Sequence, residues 1–139
     1  MNIDSIRNGF VIDHITAGRA MYLFELLSLD DKDCSIALIK NVGSKKMGKK
    51  DIIKIDAPIP MDFDVIGYVD PGITVNIIKD GKIVEKRTIE LPNQLVNVVK
   101  CKNPRCITSV EQELDHVFKL TDKDKGIYRC LYCETKAEG

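Results

Sequence analysis

The chain has 139 residues, 21 Lys plus Arg against 21 Asp plus Glu, and 44% hydrophobic residues. Balanced charge excludes an overall field that would gather the protein on nucleic acid or an anionic membrane, so any basic site must be local. No apolar run approaches the roughly 18 residues of a membrane span, and the start, MNIDSIRNGFVIDHI, lacks signal-peptide order; the expectation is a cytoplasmic protein with no membrane attachment.

In chain order, FVIDHI from Phe10 is a short apolar run with β-branched residues and reads as a strand. Thr16 can then cap a helix over Ala17 to Leu29, in which Ala20, Leu23, Phe24 and Leu27 recur at helical spacing while Arg19, Glu25 and Ser28 face water. CSIALIKNV from Cys34 and DIIKIDA from Asp51 predict a hairpin joined by the Lys-rich loop GSKKMGKK. A second helix is predicted in PMDFDVIGYVD. Pro60 pre-sets its first turn, Asp62 and Asp64 suit the positive end of its dipole, and Met61, Val65, Ile66 and Val69 share a face. Pro71 and Gly72 end it. ITVNIIKDGKIVEKRTIEL is a β-hairpin, with Asp80 and Gly81 at the two turn positions that need positive φ.

The order β, α, β, β, α, β, β folds into an antiparallel sheet with two helices on one face, an α+β ferredoxin-like sandwich. LPNQLVN, from Leu91, marks a boundary between domains at 1–92 and 93–139. The second is a small all-β segment whose charged turn TDKDKG, between HVFKL and IYRCL, predicts another hairpin.

Four of the five cysteines fall in that small segment. Cys101 and Cys106 enclose four residues, Cys130 and Cys133 enclose two, and 23 residues separate the pairs. Two such knuckles present four thiolates to one tetrahedral zinc, a closed structural site with no position left for water. A segment this short buries too little apolar area to offset its chain entropy, so metal binding becomes its folding energy. Backbone amides with Lys102, Arg105 and Arg129 can offset the local negative charge. The competing readings are a redox pair at Cys130 and Cys133, or four unconnected buried thiols. Cys34, on an apolar strand, reads as core.

GSKKMGKK nearly satisfies the phosphate-loop pattern, but Lys50 stands where a hydroxyl is needed and a strand follows in place of a helix. The loop is then either a solvated basic turn or a local phosphate-attracting edge, with Lys50 and Lys54 on one strand face. Asp13 and His14 are neighbours on a strand and point to opposite faces, so they form no acid–base dyad; His14 and His116 read as structural or surface polar groups. No nucleophile elbow, paired carboxylates or dinucleotide glycine fingerprint is present.

GFVIDHI, then MGKKDIIKID, then TVNIIKDGKIVEK, then the four cysteines at this spacing resemble, in that order and over essentially the whole chain, the aspartate carbamoyltransferase regulatory chain family. The resemblance implies a non-catalytic subunit that binds ATP or CTP competitively on its N-terminal sheet. It also implies a zinc domain that docks on a separate catalytic chain, in an assembly of two catalytic trimers bridged by three regulatory dimers. Base contacts carry over to Ile3, Asp4, Ser5 and Ile6, with Asp13 and His14 in the strand. Lys50, Lys54 and Lys86 match the lysines near ribose and phosphates, and Asn76, Ile78 and Ile83 match the last hairpin. Asp4 stands where the family has Glu, and Gly81 where an aromatic can be. Asn103, Arg105 and Glu134, beside the metal ligands, are expected to touch the catalytic chain. The regulatory chains are expected to pair through the N-terminal sheet edge or helices. An alternative is a zinc-ribbon nucleic-acid module, which balanced charge disfavours; an enzyme centred on His14 or a cysteine has the least support.

Overall fold

The computed structural model describes residues 6–45 and 47–137. The chain divides into two compact units, Met1–Glu90 and Leu91–Gly139.

In the first unit, β1 (Gly9–Thr16), α1 (Ala20–Leu26), β2 (Ser35–Ser44), β3 (Gly48–Asp56), α2 (Phe63–Val69), β4 (Thr74–Lys79) and β5 (Lys82–Thr88) follow the predicted order. The strands form one antiparallel sheet, β2-β3-β1-β4-β5. The register aligns Ile53, Ile12 and Val75 in one cross-strand row, all fully buried, and the helices contribute Ala20, Leu23, Val65, Ile66 and Val69 to the same core. This is the ferredoxin-like sandwich with an extra edge strand. Gly67 lets α2 approach closely, since a Cβ there would stand 2.1 Å from the Glu90 carbonyl oxygen.

Local boundaries differ from the sequence expectations for identifiable reasons. Thr16 does not cap α1; it stays in β1 and gives its hydroxyl and N–H to the Asp70 carboxylate, while Arg19 takes the cap position. The helix begins at Ala20 because Asp51, fully buried on β3, draws in the N–H groups of Gly18 and Ala20 at 2.9 and 3.3 Å. It ends early because Ser28 turns left-handed, leading into a 3-10 turn at Leu29–Asp31. Pro60 lies ahead of α2, whose cap is Asp62, accepting from the N–H groups of Asp64 and Val65. The Lys-rich loop is mostly strand: Val42, Gly43 and Ser44 pair with Lys50, Lys49 and Gly48. Asp80 and Gly81 do take positive φ, 54° and 78°. Cys34, expected on the strand and in the core, is instead half-buried just ahead of β2.

Bulges flank β3 on both sides. Opposite Ile53 to Asp51, β1 advances from Ile12 to Ile15; opposite Ile52 to Lys50, β2 advances from Ile39 to Val42. Each bulge holds a left-handed residue, His14 (φ 61°) and Asn41 (φ 58°). Asn41 loses its ladder partner and gives its N–H to Asp51 at 3.0 Å, so one carboxylate serves three backbone donors from two segments. Asp51→Ala orphans all three, at about 1–3 kcal/mol each. We expect about 3 kcal/mol or more of destabilisation of this unit in urea unfolding; a loss under 1 kcal/mol would contradict this role.

In the second unit, β6 (Gln94–Val96), β7 (Val117–Asp122) and β8 (Ile127–Cys130) form a sheet in that order, and α3 (Ile107–Val110) is a single turn. The predicted hairpin is β7–β8, while β6 occupies the stretch read as a boundary. Among the described residues, the large fully buried apolar side chains here are Leu95, Phe118 and Tyr128. The Tyr128 hydroxyl is spent on the Pro92 carbonyl. The row Leu95, Phe118, Cys130 turns a cysteine into this small core.

Candidate metal centre and effector face

The two knuckles converge. Cys101 and Cys133 sulfurs lie 3.5 Å apart, Cys106 and Cys130 3.7 Å apart, and all four lie within 4.8 Å of one another. A disulfide needs about 2.05 Å, whereas four sulfurs about 2.3 Å from a central zinc sit about 3.8 Å apart. The donor set and its spacing therefore fit a tetrahedral tetrathiolate, and neither the redox pair nor four unconnected thiols matches it.

Each knuckle is organised by its own backbone. In the first, the Asn103 side chain accepts from the Arg105 N–H at 3.0 Å, and its carbonyl accepts from the Cys106 N–H and the Ser109 hydroxyl. In the second, Glu134 adopts a left-handed φ of 65°, its N–H meets the Cys130 carbonyl, and its own carbonyl accepts from the Arg129 guanidinium. Arg129 thus holds the loop in shape. The hydroxyls of Thr108 and Thr135 lie 3.1 and 3.2 Å from the Cys106 and Cys133 sulfurs. His116, read as a spare polar group, accepts the Cys101 N–H on Nδ1 at 3.1 Å, which assigns its ring proton to Nε2.

Without an ion, burial pushes the Cys101 thiol up to about 12 and raises that of Cys130, whereas the Thr135 hydroxyl draws Cys133 down to about 6. A divalent cation held by these sulfurs would ionise them at neutral pH.

On the sheet, the face away from the core carries the predicted effector residues. One row runs Lys54, Val11, Asn76, Lys86 across β3, β1, β4 and β5. Three strand spacings separate its ends, roughly 14 Å. Lys50 shares this face and pairs with Asp13 at 3.0 Å. Two of the lysines thus lie on β3 and one on β5. Ile83 and Lys86 are three apart and would alternate onto opposite faces in a regular strand. A bulge in β5 instead pairs Ile83 with Ile78 and Lys86 with Asn76.

Lys54 is 7% exposed, and the Asn76 Oδ1 is buried without a hydrogen-bond partner among the described residues. Ile6, Val11 and Ile78 form an apolar cluster at this face, flanked by Ile52. His14 sits at the β1 bulge, half-buried, its N–H turned to the Asp13 carboxylate at 2.6 Å; the expected alternation with Asp13 breaks there. Ile3, Asp4 and Ser5 lie outside the described residues. Asn103 is half-buried, and Arg105 and Glu134 are exposed on the two knuckles.

A ferredoxin-like sandwich joined to a four-cysteine metal unit defines a two-domain chain with a structural metal. The model of the aspartate carbamoyltransferase regulatory chain allosteric domain matches residues 1–90, and that of the metal binding domain matches residues 93–139. Curated relatives named aspartate carbamoyltransferase regulatory chain include those of Clostridium tetani, 53% identical over 96% of this chain and 94% of the relative, and of Clostridium acetobutylicum, 48% identical over 100% and 95%. That of Bifidobacterium longum is 42% identical over 99% of each. The chain belongs to the aspartate carbamoyltransferase regulatory chain family, the non-catalytic subunits of that enzyme complex. Among the described residues, no helix is long and apolar enough to cross a membrane.

Proposed function

We propose that the chain is a cytoplasmic nucleotide sensor in which ATP and CTP compete for the outer sheet face, while one zinc ion on Cys101, Cys106, Cys130 and Cys133 shapes the surface that docks on the catalytic chain. The observation that carries the effector reading is the register of the sheet, which aligns Lys54, Asn76 and Lys86 in one row with Lys50 on the same face. A triphosphate offers several negative charges to these ammonium groups. It competes with Asp13 for Lys50. The unpartnered Asn76 oxygen is an acceptor for an amino or hydroxyl group of the ligand. Ile78, Ile83 and Ile6 supply apolar contact, His14 lies alongside, and the family resemblance adds Ile3, Asp4 and Ser5 to the base contacts, where backbone groups such as those of Ser5 and Ile6 can meet the base edge. Such groups separate adenine from an aminopyrimidine poorly, so one pocket takes both. Opposite regulation then comes from unequal binding to two quaternary states.

For docking, Asn103, Arg105 and Glu134 provide polar contacts held by the metal-braced knuckles. Beside them Ile107 and Val110 follow Cys106, and Leu131 and Tyr132 follow Cys130, all exposed. Apolar side chains with a polar rim suit a permanent protein interface. Pairing with a second regulatory chain uses a sheet edge or the helices, and neither nucleic acid nor membrane enters the scheme.

The test mixes the metal-loaded chain with the catalytic chain and measures aspartate saturation with ATP or CTP, with and without a zinc chelator. Expected are nucleotide-dependent shifts, a coupling of about 1–3 kcal/mol, that vanish on chelation. Identical curves in all arms would overturn the proposal. Metal analysis should return one zinc per chain.

A further inference from the structure

The two knuckles differ in length and sequence, yet each closes on the same unit: Cys106 is followed at the second position by Thr108, and Cys133 by Thr135. Both hydroxyls lie within hydrogen-bond reach of the sulfur two residues earlier, at 3.1 and 3.2 Å. Thr108 is buried, 2% exposed, where a hydroxyl needs a partner. As a thiol, Cys133 donates to the Thr135 oxygen, and the Cys106 contact can run either way; a metal-bound thiolate carries no hydrogen, so with the sulfurs ligated the hydroxyl becomes the donor in each contact. The two threonines come from separate segments and reach different sulfurs, the latter ligand of each knuckle.

We infer that Thr108 and Thr135 are paired positioning residues of the metal centre, their hydroxyls donating to the Cys106 and Cys133 thiolates and so fixing how tightly those sulfurs hold the ion. Two neutral donors disperse charge that four thiolates concentrate around one divalent cation, and they fix each sulfur's rotamer before the ion arrives. Arg129, expected from the sequence to offset this charge together with Lys102, Arg105 and backbone amides, gives one N–H to the Glu134 carbonyl. This inference rests on the zinc reading above.

The experiment uses the full chain and its variants T108V, T135V, the double variant and T108S, each loaded with zinc and titrated with a chromophoric chelator. Loss of an outer-shell partner typically lowers metal affinity 10–100-fold. Zinc affinity should therefore fall about tenfold in each valine variant and further in the double one, with T108S retaining the parent value. Cobalt(II) loading adds a readout that a packing role would not move: the sulfur-to-cobalt charge-transfer band shifts to lower energy as each donor is lost. Parent-like affinity together with an unshifted band in the valine variants overturns the inference. If T108V fails to fold, T135V, at a partly exposed position, decides by the same two readouts. A parent chain that binds no zinc would instead sink the metal assignment.

Discussion

Cys133→Ser is expected to abolish association with the catalytic chain while leaving nucleotide affinity within about twofold. The Cys133 sulfur stands 3.5 Å from that of Cys101 and within 4.8 Å of the other two, so the substitution removes one of four ligands and opens the site. Structural zinc contributes an apparent 10–16 kcal/mol to domains of this kind. The unit's own core rests on Leu95, Phe118 and Tyr128, far too little apolar area to replace that contribution. Residues 91–139 should therefore lose protease resistance. The first unit keeps Ile12, Ile15, Leu23, Ile53, Ile55, Ile66, Ile73 and Val75 in its own core and should remain folded. Size-exclusion chromatography with the catalytic chain and calorimetry with ATP measure the two halves. Retained co-elution would contradict the connector role.

Lys54→Ala should weaken ATP and CTP binding tenfold or more, about 1.4 kcal/mol for one charge-assisted contact. Lys54 is nearly buried and contributes packing as well as charge, so Lys54→Met, which keeps the stem, is the informative companion. Both variants should lose affinity similarly, and the loss should shrink at high salt as screening weakens the parent site. Calorimetry returning the parent dissociation constant for Lys54→Met would remove Lys54 from the effector site.

The element order, the Asp80–Gly81 turn and the cysteine pattern were legible because each is written in local chemistry: period, positive φ, ligand spacing. Asp51 was not. It lay inside an apolar strand pattern, and its three N–H partners lie 10 to 33 residues away. The bulges were equally hidden, since nothing local distinguishes His14, Asn41 or Val84 as the residue that slips. They matter to the site, because strict alternation would separate Ile83 from Lys86. Resemblance supplied both residues to the candidate site, and register explains how they come to share a face. In the second unit, β6 hid in polar punctuation. Thr108 and Thr135 are signalled in retrospect by Cys-x-Thr at the end of each knuckle.

The paired bulges around β3 turn chain length itself into a constraint. With β3 as the ruler, each neighbouring strand carries one residue more than the pairing needs, so deleting a single residue at 13–14 or 40–41 would straighten the ladder while Ile15 and Val42 keep their partners and their faces, and what would be lost is the left-handed residue that each bulge holds. Deleting Asn41 would take one N–H donor from the buried Asp51 carboxylate, whereas a one-residue insertion or deletion in the regular part of either strand would reverse every facing beyond it.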